Sequence, residues 1–272
     1  MTIGVVSNKH ERRTMLTLTL LGNVTTFGIL HTPLNEQVSH PLVIILHGLV
    51  SDKIGTQRTH VHLAEALAEV GCAALRIDLP GHGDSEGQPD DFSLEDYKTS
   101  ICEIVNYAYK QPYTDKTNLA IFGSSLGATL TLLSIGLMPK IKALALWAPT
   151  ILGTLWVQDA QNQSIISSST SNSDNIHYAG IPLSKAFCSQ FLEIDISKQV
   201  VDIPESLPIL HMHGENDTLV SLNHQKLFAQ AFKNKNNRLR LLSYPNVDHV
   251  LPLNSSSVLS DLITWLISEL ST

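Results

Sequence analysis

Apolar and polar positions alternate near the start of the chain, at Leu16-Thr17-Leu18-Thr19-Leu20, and a Gly22-Asn23 pair separates this run from a second extended stretch reaching Leu30. Alternation with period two marks a strand covered on one face, so the segment predicts an antiparallel hairpin at a sheet edge. Farther on the pattern changes. Leu42–Leu46, Ala73–Ile77, Leu119–Phe122, Ala143–Trp147 and Ile209–Met212 are short unbroken apolar runs. Such runs suit strands buried on both faces, as in a parallel sheet. Leu239–Tyr244 supplies a last strand.

Helical periods lie between the strands. Val61–Val70 keeps Leu63, Ala66, Leu67 and Val70 on one face, and Ser93–Lys110 opens with Ser93 as N-cap and Asp96 in the capping position. Leu126–Leu137, His224–Phe232 and Val258–Leu270 follow the same rule. Strand alternating with helix predicts βαβ units: an α/β fold with a mostly parallel central sheet, helices on both faces and an antiparallel N-terminal hairpin. The 272 residues suit one domain, 1–272.

One segment breaks the rhythm. Between Pro149 and Ile209 the apolar runs stop, and Ser164–Asn175 is rich in Ser, Asn and Gln. So long a connection is usually functional, and residues 150–206 are expected to form a small lid. Trp156, Ile165, Ile166, Tyr178, Phe187 and Phe191 are its candidate pocket-lining groups.

Charge narrows the partners. The net charge of −7, from 25 acidic and 18 basic residues, disfavours nucleic acid and anionic membranes. The short basic cluster Lys233–Arg240 reads as a solvated connection. Cys72, Cys102 and Cys188 are far apart, without CxxC spacing, and read as small hydrophobes in a reducing compartment. Met1 to Arg13 has no apolar core of a signal peptide, and no run of about 18 apolar residues occurs. The expectation is a cytoplasmic protein, without a membrane partner, for which a homo-oligomer stays open.

Candidate chemistry centres on Gly123-Ser124-Ser125-Leu126-Gly127, which directly follows an apolar strand and opens a helical run. A serine on such a strand–turn–helix projects its hydroxyl above the sheet, and glycines two residues to either side avoid collision with the neighbouring strand and helix. Framing the motif on Ser124 would need glycine where Phe122 stands, so Ser125 is the nucleophile. A serine hydroxyl needs a base to take its proton. In this arrangement the acid and the histidine follow later, in that order. His213-Gly214-Glu215-Asn216-Asp217 follows the Ile209–Met212 strand, and Asp217 is preferred to Glu215 because it lies deeper in the loop, before Leu219-Val220. His249 is the one histidine between the last strand and the last helix. His47-Gly48-Leu49 ends the first core strand, and the backbone N–H groups of Leu49 and Leu126 are the expected oxyanion donors, with His47 itself structural. His60-x-His62 and His211-x-His213 lack a completing ligand set, so no metal and no cofactor are expected.

From His47-Gly48 through Asp78-Leu79-Pro80-Gly81-His82-Gly83-Asp84-Ser85 to Gly123–Gly127 the chain resembles the α/β-hydrolase superfamily. It is similar to bacterial cinnamoyl/feruloyl esterases and to hydrolases grouped with monoacylglycerol lipases and thioesterases. The resemblance implies two-step hydrolysis of a small-molecule ester through an acyl-enzyme on Ser125. A thioesterase or acyltransferase would use the same residues, and a non-catalytic ligand-binding relative would share the fold.

Overall fold

The computed structural model describes residues 2–7, 11–168, 176–233, 235, 238–252 and 256–271. The chain opens with strands β1 (Thr2–Ser7), β2 (Glu11–Leu20), β3 (Val24–Pro33) and β4 (His40–Leu46). Then come α1 (Thr59–Glu69), β5 (Ala73–Ile77), α2 (Leu94–Lys110), β6 (Thr114–Ser124), α3 (Leu126–Ser134) and β7 (Ala143–Trp147). The long connection contributes α4 (Gly153–Asn162), β8 (Ile166–Ser168), β9 (Ile176–Tyr178), β10 (Ile181–Leu183), α5 (Lys185–Leu192) and α6 (Ile196–Gln199). Strand β11 (Ile209–Gly214), α7 (Asn223–Ala231), β12 (Leu239–Tyr244) and α8 (Ser256–Leu270) complete the chain.

Among the described residues, the main sheet has nine strands in the order β1-β2-β3-β5-β4-β6-β7-β11-β12. The expected hairpin is β2 and β3, but it is not the edge: β1 pairs antiparallel outside β2. β3 meets β5 antiparallel, and every pairing from β5 to β12 is parallel. This is the α/β-hydrolase fold.

The unbroken apolar runs have a simple cause. Along β4, Leu42, Ile44 and Leu46 join one core with α2, α3 and α7, while Val43 and Ile45 join a second core with α1 and α8. Side chains of a strand alternate between faces, so a strand between two cores must be apolar throughout. The N-terminus of α2 is closed by reciprocal bonds: Asp96 N donates to Ser93 Oγ at 3.2 Å and Ser93 N donates to Asp96 Oδ2 at 2.8 Å.

β4 leads through α1 to β5 on one side, and β6 leads through α3 to β7 on the other. The crevice between the carboxyl ends of β4 and β6 is therefore the topological switch point, where α/β sheets bind ligands.

Ile165, Tyr178 and Ala179 of the connection 150–206 border the cleft that contains Ser125. Strands β8 to β10 form a separate antiparallel sheet. Residues 169–175 of the polar Ser164–Asn175 tract lie outside the described residues, as do 234, 236 and 237 of the basic cluster. Cys72 is buried, whereas Cys102 and Cys188 are only half-buried. No helix of the described residues is long and apolar enough to cross a membrane.

Candidate active site

Ser125 sits between the end of β6 and the start of α3 with φ 52° and ψ −115°. Non-glycine residues hold such a conformation only where the surroundings enforce it. Here the Ser125 amide donates to Trp147 O at 2.8 Å, tying the turn to β7. A Cβ at Gly123 would lie 2.6 Å from the Ala128 backbone, and one at Gly127 would lie 2.6 Å from the carbonyl oxygens of Leu46 and His47. The two motif glycines are thus places where main chain meets main chain.

The loops after β11 and β12 bring up the other two groups. Asn216 N donates to Val247 O and Glu215 N to Tyr244 O, each at 2.9 Å, so these loops are stitched together. Asp217 is buried; its Oδ1 accepts from the amides of Leu219 at 2.9 Å and Val220 at 2.8 Å. Its Oδ2 lies 2.7 Å from His249 Nδ1, and His249 Nε2 lies 3.0 Å from Ser125 Oγ. The Trp147 indole N–H holds His249 O at 2.9 Å. The three residues chosen from sequence meet in one array, whereas Glu215 is exposed.

A residue not expected here stands behind the acid. His213 Nε2 donates to Val220 O at 2.7 Å and lies 3.5 Å from Asp217 Oδ2. Burial lowers its pKa, and its ring stands beside the Asp217 carboxylate while its Nε2–H is held by Val220 O. Its four-residue spacing from Asp217 was visible in the sequence, but that spacing points to contact only once the strand end and loop geometry are known.

The β4–α1 loop forms the opposite wall. His47 Nε2 accepts from Leu79 N at 2.9 Å, which leaves its Nδ1–H to donate to Gly48 O at 2.7 Å. Burial pushes the His47 pKa down to about 4, so this neutral tautomer persists at neutral pH. A trans peptide carries C=O and N–H on opposite sides, so a gripped Gly48 carbonyl sends the Leu49 N–H away from the His47 ring. Among the described residues neither the Leu49 nor the Leu126 amide has a hydrogen-bond partner. Gly48 is needed for access: a Cβ there would lie 3.1 Å from Ser125 Cβ.

A cleft of about 280 Å³ opens over Ser125 and His249, with Leu49 in its wall, and among the described residues no Lys, Arg, Asp or Glu lines it. Ile165 and Tyr178 of the connection reach it, but the other candidate lining groups do not. Trp156, Phe187 and Phe191 are buried in the core, where Trp156 stacks on Tyr178 with ring centroids 5.5 Å apart. Ile166 packs against the same core. Aromatic content alone did not tell which face each ring presents. His211 Nε2 lies 3.3 Å from His213 Nδ1, and among the described residues no group of three His, Cys, Asp or Glu side chains is placed to hold a metal ion.

The sequence pattern of the prolyl oligopeptidase family matches residues 95–271, well over half of the chain. The chain belongs to that family. Among curated relatives, the human protein ABHD12B is 24% identical over 247 residues, 85% of this chain and 62% of its own length. The chain thus spans less than two thirds of that relative. Among solved structures, Est1E from Butyrivibrio proteoclasticus with bound ferulic acid superposes with TM-score 0.77 at 22% identity, over 94% of this chain and 100% of that one. The α/β hydrolase GrgF from Penicillium sp. sh18 superposes with TM-score 0.74 at 16% identity, over 96% and 99%. At these identities the structural likeness establishes the shared fold. Together with the family match it makes the chain an α/β hydrolase.

Proposed function

We propose that this member of the family hydrolyses uncharged carboxylic esters of small to medium acyl groups, with Ser125 as nucleophile, His249 as general base and Asp217 as its orienting acid. One observation carries the reading: Asp217 Oδ2, His249 and Ser125 Oγ form a continuous hydrogen-bonded chain, at 2.7 and 3.0 Å, that ends in an open cleft.

The steps follow from that chain. Ser125 Oγ attacks the ester carbonyl as its proton passes to His249 Nε2, and Asp217 stabilises the imidazolium. The carbonyl oxygen gains charge beside the Leu49 and Leu126 amides, which point preorganised dipoles at it. His249 then protonates the departing alcohol, leaving an acyl group on Ser125. In the second half, His249 takes a proton from water as it attacks the acyl carbon, then gives that proton to Ser125 Oγ as the acyl–Oγ bond breaks and the acid leaves.

Among the described residues the lining of the cleft carries no Lys or Arg, which favours a neutral ester over an acyl-CoA thioester, whose phosphates call for such groups. Residues 150–206 act in this reading as a cap within a single hydrolase unit, since Ile165 and Tyr178 close one side of the cleft.

The test is fluorophosphonate labelling of wild type and Ser125→Ala, with turnover of p-nitrophenyl esters, methyl ferulate, acyl-CoA thioesters and a prolyl anilide. Labelling lost in the variant, with esters preferred, supports the proposal. Preference for the thioester or anilide would replace the substrate class. Absent labelling in folded wild type would point to a binding protein.

A further inference from the structure

The loop carrying the Leu49 amide contains a strained residue. Val50 has φ 48°, in the left-handed region. A β-branched side chain is costly there, so something must hold the turn. The Val50 amide donates to His82 Nε2 at 3.2 Å. His82 lies thirty-two positions away, in the Gly81-His82-Gly83 turn after β5.

His82 is built to accept. Its Nδ1–H donates to Pro80 O at 2.9 Å, which fixes the lone pair on Nε2. The ring is 4% exposed and held from two sides: the His47 ring lies 5.1 Å away, and Tyr97 meets it edge-on at 5.7 Å. Burial lowers its pKa to about 4, so it stays neutral where the enzyme would work. Tyr97 in turn meets Phe187 of the 150–206 connection edge-on at 5.9 Å.

Two neutral histidines therefore grip consecutive peptides of one loop. His47 takes the Gly48 carbonyl, and His82 takes the Val50 amide. Among the described residues the Leu49 N–H between them has no hydrogen-bond partner. We propose that His82 is a positioning residue: by holding the Val50 amide it fixes the left-handed turn that aims the Leu49 N–H at the carbonyl oxygen of an ester on Ser125. This rests on the hydrolase reading above. His82 touches neither substrate nor reacting atoms, so its effect belongs in kcat and not in binding.

The experiment compares His82→Asn with His82→Gln. The Asn amide reaches only the place of Nδ1, whereas the Gln amide oxygen reaches the place of Nε2 and can accept from Val50. We expect His82→Asn to lower kcat for a p-nitrophenyl ester about 10–100-fold with KM within about twofold, because a misaimed oxyanion donor loses much of its effect. His82→Gln should recover most of that loss. In ¹⁵N-labelled protein the Val50 amide should exchange faster in the Asn variant and be protected again in the Gln variant. If the Asn variant does not fold, His82→Phe, which keeps a ring but offers no acceptor, carries the same expectation. Wild-type kcat in a folded Asn or Phe variant, or equal losses in the Asn and Gln variants, would overturn the proposal. A wild type that turns over nothing, with Ser125→Ala no different, would instead remove the hydrolase reading, and the oxyanion role of His82 with it.

Discussion

Among the described residues, two of the carboxylate–histidine chains, Asp217–His249 and Glu11–His31, are built alike, and of these two the first opens on a cleft. At the site, Asp217 meets His249 Nδ1 at 2.7 Å and His249 Nε2 faces Ser125 Oγ at 3.0 Å. Beneath α1, Glu11 meets His31 Nδ1 at 2.5 Å and His31 Nε2 accepts from Arg76 Nε at 3.0 Å. An arginine N–H can only donate, so His31 is the neutral tautomer that donates to Glu11. Its lone pair is permanently taken. The His31 side chain is also fully buried, whereas that of His249 is 17% exposed. A carboxylate beside a histidine therefore does not make a base. What differs is the group on the far nitrogen: a guanidinium locks it in one chain, and in the other a hydroxyl at a cleft offers the proton that the proposed mechanism has it take.

The largest effect should separate the two chains by chemistry. His249→Ala is expected to lower kcat/KM for a p-nitrophenyl ester by about 10³–10⁴-fold, or about 4–5.5 kcal/mol of transition-state stabilisation, with the melting temperature nearly unchanged. The matching change in the other chain, Glu11→Ala, should do the reverse. Glu11 is buried and ties both His31 and Arg13. Removing one partner of a buried charged network costs about 3–5 kcal/mol, read as a lower urea midpoint. The folded fraction should keep its kcat/KM. A kinetic defect in Glu11→Ala as deep as that of His249→Ala would break the distinction.

That contrast also marks what the sequence could tell. The core strands were legible because burial on both faces leaves an unbroken apolar run. Ser125 was legible because main-chain contact forces glycine at 123 and 127. Asp217 and His249 followed from the order of the loops at one sheet edge. The Glu11–His31–Arg76 chain was not legible: its members come from three strands, β2, β3 and β5, and no local spacing announces them. The same holds for His82 and Val50. The small sheet of the connection escaped too, since strands of three residues are too short to show a period.

Acid should sharpen the comparison next. Burial is the first cause that lowers the pKa of His31, and burial likewise holds His47, His60 and His82 at about 4, as His31 is. Unfolded histidine titrates near 6.5. The folded values are depressed, so the stability these groups contribute is complete above about pH 6.5 and is lost as pH falls toward 4. From pH 7 to 6 each should lose somewhat under 1 kcal/mol, together on the order of 2–3 kcal/mol. Urea midpoints at the two pH values measure this. A midpoint that does not move between pH 7 and 6 would mean these rings are charged in the native state.

The smallest effect lies at the outer end of the buried chain. Arg13 links Glu11 to Glu65 of α1, and the side chains of Arg13 and Glu65 are 25% and 27% exposed. Glu65 also lies 3.2 Å from His62 Nδ1, on the solvent side of the helix. Water screens both contacts, so Glu65→Gln should cost less than about 1 kcal/mol. The cost should shrink further in about 1 M salt, where screening acts within about 3 Å. Glu11→Ala should keep most of its larger cost in the same salt, because its partners are shielded from ions. The same arginine thus bridges two carboxylates worth very different amounts, and burial alone sets the ratio. If Glu65→Gln cost as much as Glu11→Ala, or kept its full cost in salt, the chain would have to be held as one rigid unit from helix to sheet, and the ring of His31 would owe its position to the surface as much as to the core.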